Sequence, residues 1–246
     1  MYEFVIKNGN IIDGTGGAAY KADVAIADGK IARIGHIPER AAHTVIDAEG
    51  RAVTPGFIDI PRHGDVAAFW DNFGQLELSQ GLTTVINGNC GMSAAPVDKG
   101  NKGLLNYLRP VIGDILPYVS TDTMAGYFRS LGSTALPLNC GMLVGCGVVW
   151  SCVLSGEHPT EAETRKFRKI LERELASGAM GVSLGLGYAP ECFLTTDELI
   201  SGLEPLRNTD IPITFHMRQE GDGVCDAIRE VIKTVSYTHL TLPTIR

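Results

Sequence analysis

The sequence predicts an α/β fold: an incomplete β/α barrel with about five strands present, preceded by a small β module. Three observations predict it. The residues before Ala52 are short apolar runs broken by turn dipeptides, whereas from Ala52 onward short apolar runs alternate with segments of helical periodicity. Two helix starts in that second region carry capping boxes. The boundaries that follow are 1–54 for the N-terminal part of a small β-sandwich module, 55–234 for the barrel segment and 235–246 for a tail.

In the module, Phe4-Val5-Ile6 leads into Asn8-Gly9, and Asp23-Val24-Ala25-Ile26 runs through Asp28-Gly29 into Ile31-Ala32-Arg33-Ile34. Asn-Gly and Asp-Gly suit two-residue hairpins because both residues tolerate positive φ, so both dipeptides are expected to be turns. Gly14-Thr15-Gly16-Gly17 is read as a turn too, since no helix pattern follows it to make a phosphate loop.

The barrel strands are expected at Phe57–Ile60, Thr83–Asn87, Pro137–Val144, Met180–Leu184 and Pro212–His216. Thr160 and Glu163 form a capping box, and the helix behind it carries Phe167, Ile170, Leu171 and Leu175 on one face until Gly178 stops it. Thr195 with Glu198 opens the helix after the fourth strand. Ile228–Thr234 continues a further helix.

Composition narrows the function. A chain of 246 residues with 44% hydrophobic and 20% charged residues can bury a sizeable core. Net charge −7 without clustered Lys or Arg argues against nucleic acid as a partner. No signal-peptide pattern opens the chain and no apolar run could span a membrane, so the expected address is the cytoplasm, with no membrane partner. The six cysteines are then read as thiols, not as a disulfide framework.

In a β/α barrel the chemistry sits just past the C-terminal ends of the strands. Pro61-Arg62-His63-Gly64-Asp65 follows the first strand, Gly88-Asn89-Cys90-Gly91 the second and Gly185-Leu186-Gly187-Tyr188 the fourth, while the fifth ends in His216-Met217-Arg218. Imidazole and thiolate are ligands that zinc favours, and separate strands could bring them to one rim.

With Pro55-Gly56-Phe57-Ile58-Asp59, these four segments resemble the amidohydrolase superfamily, and within it the N-acyl-D-amino-acid deacylases, over nearly the whole chain to about Thr234. The resemblance implies a TIM-like (β/α)8 metal-dependent hydrolase barrel, zinc as cofactor and a small-molecule N-acyl amino acid as substrate. It places Cys90, His216 and His63 as metal ligands and Tyr188 against the substrate. Arg218, Glu220 and Asp222 match the charged loop behind the ligand histidine and would support it. Zinc in such a site acts as a Lewis acid and lowers the pKa of water toward about 7. The implied activity is hydrolysis of N-acyl-D-amino acids to a D-amino acid and a carboxylate. A dihydroorotase- or hydantoinase-type cyclic-amide hydrolase is the alternative, less suited to the cysteine of Gly-Asn-Cys-Gly.

Three departures bear on activity. Pro61 stands where the family has the first histidine of its pair, and a proline has no side-chain ligand to offer. Gly145-Cys146-Gly147-Val148-Val149-Trp150 replaces a Gly-His-Gly-Thr-(Ile/Val)-Arg pattern. Val235 to Thr244 resembles a translation of the transposase adapter of sequencing libraries, since GTC TCT TAT ACA CAT CTG ACG CTG CCG ACG encodes those ten residues in order. The tail 235–246 is therefore expected to be non-native and His239 is not read as a ligand. On that reading a sixth-strand histidine ligand and the aspartate general base lie beyond a truncation, no catalytic residue is assigned here, and the chain as it stands is expected to be an inactive fragment.

Overall fold

The computed structural model describes residues 1–60 and 62–238 and divides into two compact units, Met1–Phe57 and Ile58–Arg246. The reading of Pro61 as a lost ligand, the exclusion of His239 and most of the tail 235–246 fall outside the described residues.

The first unit holds β1 (Tyr2–Ile11), β2 (Tyr20–Ala27), β3 (Lys30–Gly35), β4 (Ala42–Asp47) and β5 (Ala52–Val53). They form one mixed sheet ordered β3-β2-β1-β4, with β5 also on β1; β1, β2 and β3 pair antiparallel, and β4 and β5 run parallel to β1. Asp28-Gly29 is the expected hairpin turn between β2 and β3, both residues at positive φ. Asn8-Gly9 is not a turn. It is a bulge inside β1, where the register against β2 shifts between Ile6 and Gly9 and Asn8 sits at φ 56°. A bulge satisfies the same preference for positive φ as a turn does, and here Asp23 accepts the Asn8 N–H at 3.0 Å while the Asn8 amide donates to Asp47 at 3.0 Å, so the strand carries on. Gly14-Thr15-Gly16-Gly17 is a turn, with Asp13 accepting from the Thr15 N–H and hydroxyl.

Val5, Ala25 and Ile37 make this unit's small core. Beside it Lys7 Nζ donates to Asp23 at 2.6 Å and to the Ile37 carbonyl at 2.7 Å, and Asp23 also accepts the Ile37 N–H at 2.9 Å. Burial alone would raise the Asp23 carboxyl; these bonds, with the Asn8 N–H, outweigh it and hold the group at about 2.

The second unit is built on β6 (Phe57–Asp59), β7 (Leu82–Asn87), β8 (Asn139–Gly145), β9 (Gly181–Gly185) and β10 (Ile213–His216), in the spatial order of the sequence. The strands from β7 to β10 are parallel. All five expected strands are present, but β8 and β10 begin after Pro137 and Pro212 because proline brings no N–H to the ladder. Connections carry helices α1 (Gln75–Ser79), α2 (Lys102–Ile112), α3 (Met124–Gly132), α4 (Cys146–Val153), α5 (Glu161–Ala176), α6 (Thr196–Gly202) and α7 (Val224–Thr238). The last of these enters the segment expected to be foreign by four residues, 235 to 238.

Both capping boxes form: Glu163 accepts the Thr160 N–H at 2.8 Å and Glu198 the Thr195 N–H at 2.7 Å, each threonine hydroxyl accepting in return at 3.3 Å. On α5, Phe167 and Leu171 are fully buried, Ile170 and Leu175 pack at the margin, and Gly178 follows at φ 101°. Phe167 stacks on Trp150 of α4 at 3.9 Å between ring centroids.

The sheet is curled. Asn89, just past β7, donates its amide to the carbonyls of Ile60 at 2.5 Å and Arg62 at 3.2 Å beyond β6, and accepts the Thr214 hydroxyl of β10 at 3.2 Å. One side chain thus ties together the two edge strands.

Candidate metal centre

The loop 88–91 that carries Cys90 is held in a conformation only certain residues can take. Gly88 and Gly91 lie at φ 79° and 72°, with Cys90 between them at 56°. A side chain at Gly88 would strike the Leu143 carbonyl, and one at Gly91 the Glu191 carboxylate. Across the sheet, Ser183 in β9 accepts the Gly91 N–H at 3.1 Å and donates to the Gly88 carbonyl at 2.5 Å, spanning the loop.

This loop puts Cys90 Sγ 3.7 Å from His216 Nδ1, at the C-terminal end of β10. The other ring nitrogen of His216 faces Glu220 at 3.5 Å, and the Tyr188 ring lies against the imidazole with 4.6 Å between centroids. Burial, helped by the Glu220 charge, pushes the Cys90 thiol up. Burial and then the Cys90 and Glu220 charges do the same to Tyr188, which keeps its phenol protonated at neutral pH.

His63 follows β6 on the same rim. Its Nδ1 is buried and has no hydrogen-bond partner, and both burial and the nearby His216 charge lower its pKa. A buried, unpartnered ring nitrogen in neutral form is a free donor pair. Two donors bound to one tetrahedral zinc lie about 3.6 Å apart for sulfur and nitrogen, close to the Cys90–His216 separation. The residues fit a zinc ion in donor type and in that spacing. Among the described residues, though, no group of three or more His, Cys, Asp or Glu side chains closes into a cage.

Arg218 makes its bonds away from Cys90 and His216. It makes a two-pronged pair with Glu230 of α7, both bonds at 2.9 Å, and donates to the carbonyls of Cys192 and Leu194, so it holds the strand-end loop against the following helix. Asp222 is exposed. Cys146, where the resemblance calls for histidine, is fully buried in the core, its thiol pushed well up by burial and then by Glu191.

Sequence reasoning passed over four residues that build this rim. Asn89 lies in the Gly-Asn-Cys-Gly segment, but its partners at Ile60, Arg62 and Thr214 are far off in the chain. Ser183 had a signal, a hydroxyl inside a buried apolar strand that must find a partner. Asp65, fully buried and raised to about 6 by burial, accepts the N–H groups of Ala94 at 2.9 Å and Gly88 at 3.4 Å. Glu191 had no signal at all. It is buried behind Gly185, whose N–H it accepts at 2.8 Å, and burial raises it to about 8.

No family model matches the chain. It is 32% identical to a D-aminoacylase and 34% identical to an N-acyl-D-aspartate deacylase, both of Alcaligenes xylosoxydans xylosoxydans, each over 94% of this chain. A D-aminoacylase crystal structure that defines a subset of amidohydrolases superimposes with TM-score 0.86 at 29% identity, covering 97% of this chain and 50% of that one. The chain belongs to the amidohydrolase superfamily. Within that superfamily it resembles the N-acyl-D-amino-acid deacylases. An N-acyl-D-glutamate deacylase from Bordetella bronchiseptica, solved with zinc and a phosphonate mimic of the tetrahedral intermediate, superimposes with TM-score 0.85 at 33% identity, over 96% of this amidohydrolase and 49% of that chain. The chain spans about half the length of the curated relatives it matches, 48% and 46% for the two from Alcaligenes.

Proposed function

We propose that the protein is a zinc-dependent hydrolase of the N-acyl-D-amino-acid deacylase type, cleaving the amide to a D-amino acid and a carboxylate, in the cytoplasm. The observation that carries the reading is the approach of Cys90 to His216 at zinc-ligand spacing from strands remote in sequence. Relatives named for D-aminoacyl and N-acyl-D-acidic substrates, one of them solved with zinc, support it. The curled parallel sheet is read as part of a TIM-like barrel whose rim is this site.

Cys90, His216 and His63 would hold the ion, which when bound polarises the substrate carbonyl and makes water nucleophilic near neutral pH. Glu220 orients His216 through its second nitrogen. Tyr188, protonated and tilted against the His216 ring, donates a hydrogen bond to an acyl or carboxylate oxygen of the substrate. No general base is assigned to a residue of this chain.

The test incubates the zinc-loaded protein, and any longer gene product that contains it, with N-acyl-D- and N-acyl-L-amino acids, and separates the products on a chiral column. Release of free D-amino acid is expected. No release from any N-acyl-D-amino acid by either protein would overturn the reading.

A further inference from the structure

Glu191 is a fully buried carboxyl group of the second unit, on the turn Glu191–Phe193 that follows Tyr188. A carboxyl in the interior is unfavourable unless its surroundings use it. Its surroundings are glycines. One oxygen accepts the Gly185 N–H at 2.8 Å, while the other has no hydrogen-bond partner. The same carboxylate fills the space a side chain on Gly91 would need, and a Cβ on Gly147 would come within 2.9 Å of it. Gly91 ends the Cys90 loop, Gly147 is the second residue of α4, which follows β8, and Gly185 ends β9. The main chains meet there without side chains between them: a Cβ on Gly145 would lie 2.6 Å from the Gly91 carbonyl, and one on Gly185 would strike the Cys90 carbonyl.

We propose that Glu191 is a positioning residue for Cys90, its carboxyl group bridging the ends of β7, β8 and β9 so that the thiol faces His216. The inference rests on the reading of Cys90 and His216 as metal ligands. A glycine junction can close this tightly only because no side chain fills it, yet glycine has the most conformational freedom to lose. Glu191 restores the constraint from outside, as a wedge that hydrogen-bonds to the end of β9 and abuts Gly91 and Gly147, the chain just past β7 and β8. Ser183 holds the Cys90 loop from the β9 side, and Glu191 holds it from behind. The role requires shape and an accepting oxygen at the right reach, which glutamine supplies and aspartate or alanine does not.

The test is a cobalt(II) titration of the full chain, read by the sulfur-to-cobalt charge-transfer band in the near ultraviolet that reports the Cys90 thiolate. Glu191→Ala is expected to weaken cobalt binding by about 10- to 100-fold, the range for groups that orient a ligand, and to lower the band at saturation. Glu191→Gln should stay within about threefold of the parent. Leu171→Ala, a core truncation in α5, is the control: it should lower the melting temperature at least as much and leave the band unchanged. Should Glu191→Ala not fold, Glu191→Asp takes its place, with the same loss expected because its carboxyl stops one methylene short. Glu191→Ala binding cobalt like the parent, or Leu171→Ala losing the band equally, would overturn the inference and leave the metal site standing. A parent chain that gives no Cys90-dependent band overturns the metal reading and this inference together.

Discussion

Cys90 Sγ stands 3.7 Å from His216 Nδ1 although 126 positions separate them in the chain. Their meeting needs the curl of the sheet, because β7 and β10 are separated in it by two other strands. If the pair shares a zinc ion, removing either donor should cost far more than removing a group that merely orients one, which is typically worth 10- to 100-fold. Cys90→Ser and His216→Ala are each expected to weaken zinc binding by more than about 100-fold, measured by equilibrium dialysis with metal analysis. Zinc affinity within tenfold of the parent in both variants would remove the site.

The sequence made the candidate ligands visible and left their support hidden, for a physical reason. Cys90 and His216 announce themselves because few residue types bind zinc and each lies at the end of an apolar run. The five strands and both capping boxes were legible for the same reason, since period and cap chemistry are local. Asn89, Ser183 and Glu191 act by bonding main chain from other strands, so their partners are unknown until the sheet curls. Asn8-Gly9 is a bulge and not a turn for a different reason: its local φ preference is legible, but Asp23 and Asp47, which keep the strand running past it, are fifteen and thirty-nine positions away.

In the first unit, Lys7 and Asp23 form a buried ion pair beside a very small core. Removing one partner strands the other charge, typically at about 3–5 kcal/mol. Lys7→Met should destabilise the unit by about 3 kcal/mol in urea unfolding. Asp23 has a folded pKa of about 2, below its ordinary value, so its contribution is present above about pH 4 and is lost as pH falls through 2. Acid unfolding followed by circular dichroism should therefore lose its component below pH 4 in Asp23→Asn. An unchanged acid limb would contradict this.

The Thr160 cap offers a cleaner number. Its hydroxyl accepts the Glu163 N–H at the start of α5, and replacing such a cap with alanine typically costs about 1 kcal/mol. Thr160→Ala should lower stability by about that much and leave metal binding untouched, since α5 bears none of the proposed ligands. A change in zinc affinity would show that the helix is coupled to the rim.

Glu191 should make the second unit less stable as pH rises. Burial lifts its carboxyl to about 8, against the opposing pull of the Gly185 N–H, the Arg218 charge and the Gly147 N–H. A folded pKa raised above the unfolded one means that the native chain keeps a proton the unfolded chain has already released. The stabilisation is complete below the ordinary glutamate range near pH 4.5 and disappears as pH climbs through 8. Asp65, raised to about 6, produces the same sign at lower pH, so the window that isolates Glu191 lies above it, at about pH 6.5 to 8.5. Across that window the melting temperature of the parent should fall more steeply than that of Glu191→Gln, whose amide does not titrate, in scanning calorimetry at constant ionic strength. Parallel slopes would mean that Glu191 is already ionised in the folded protein.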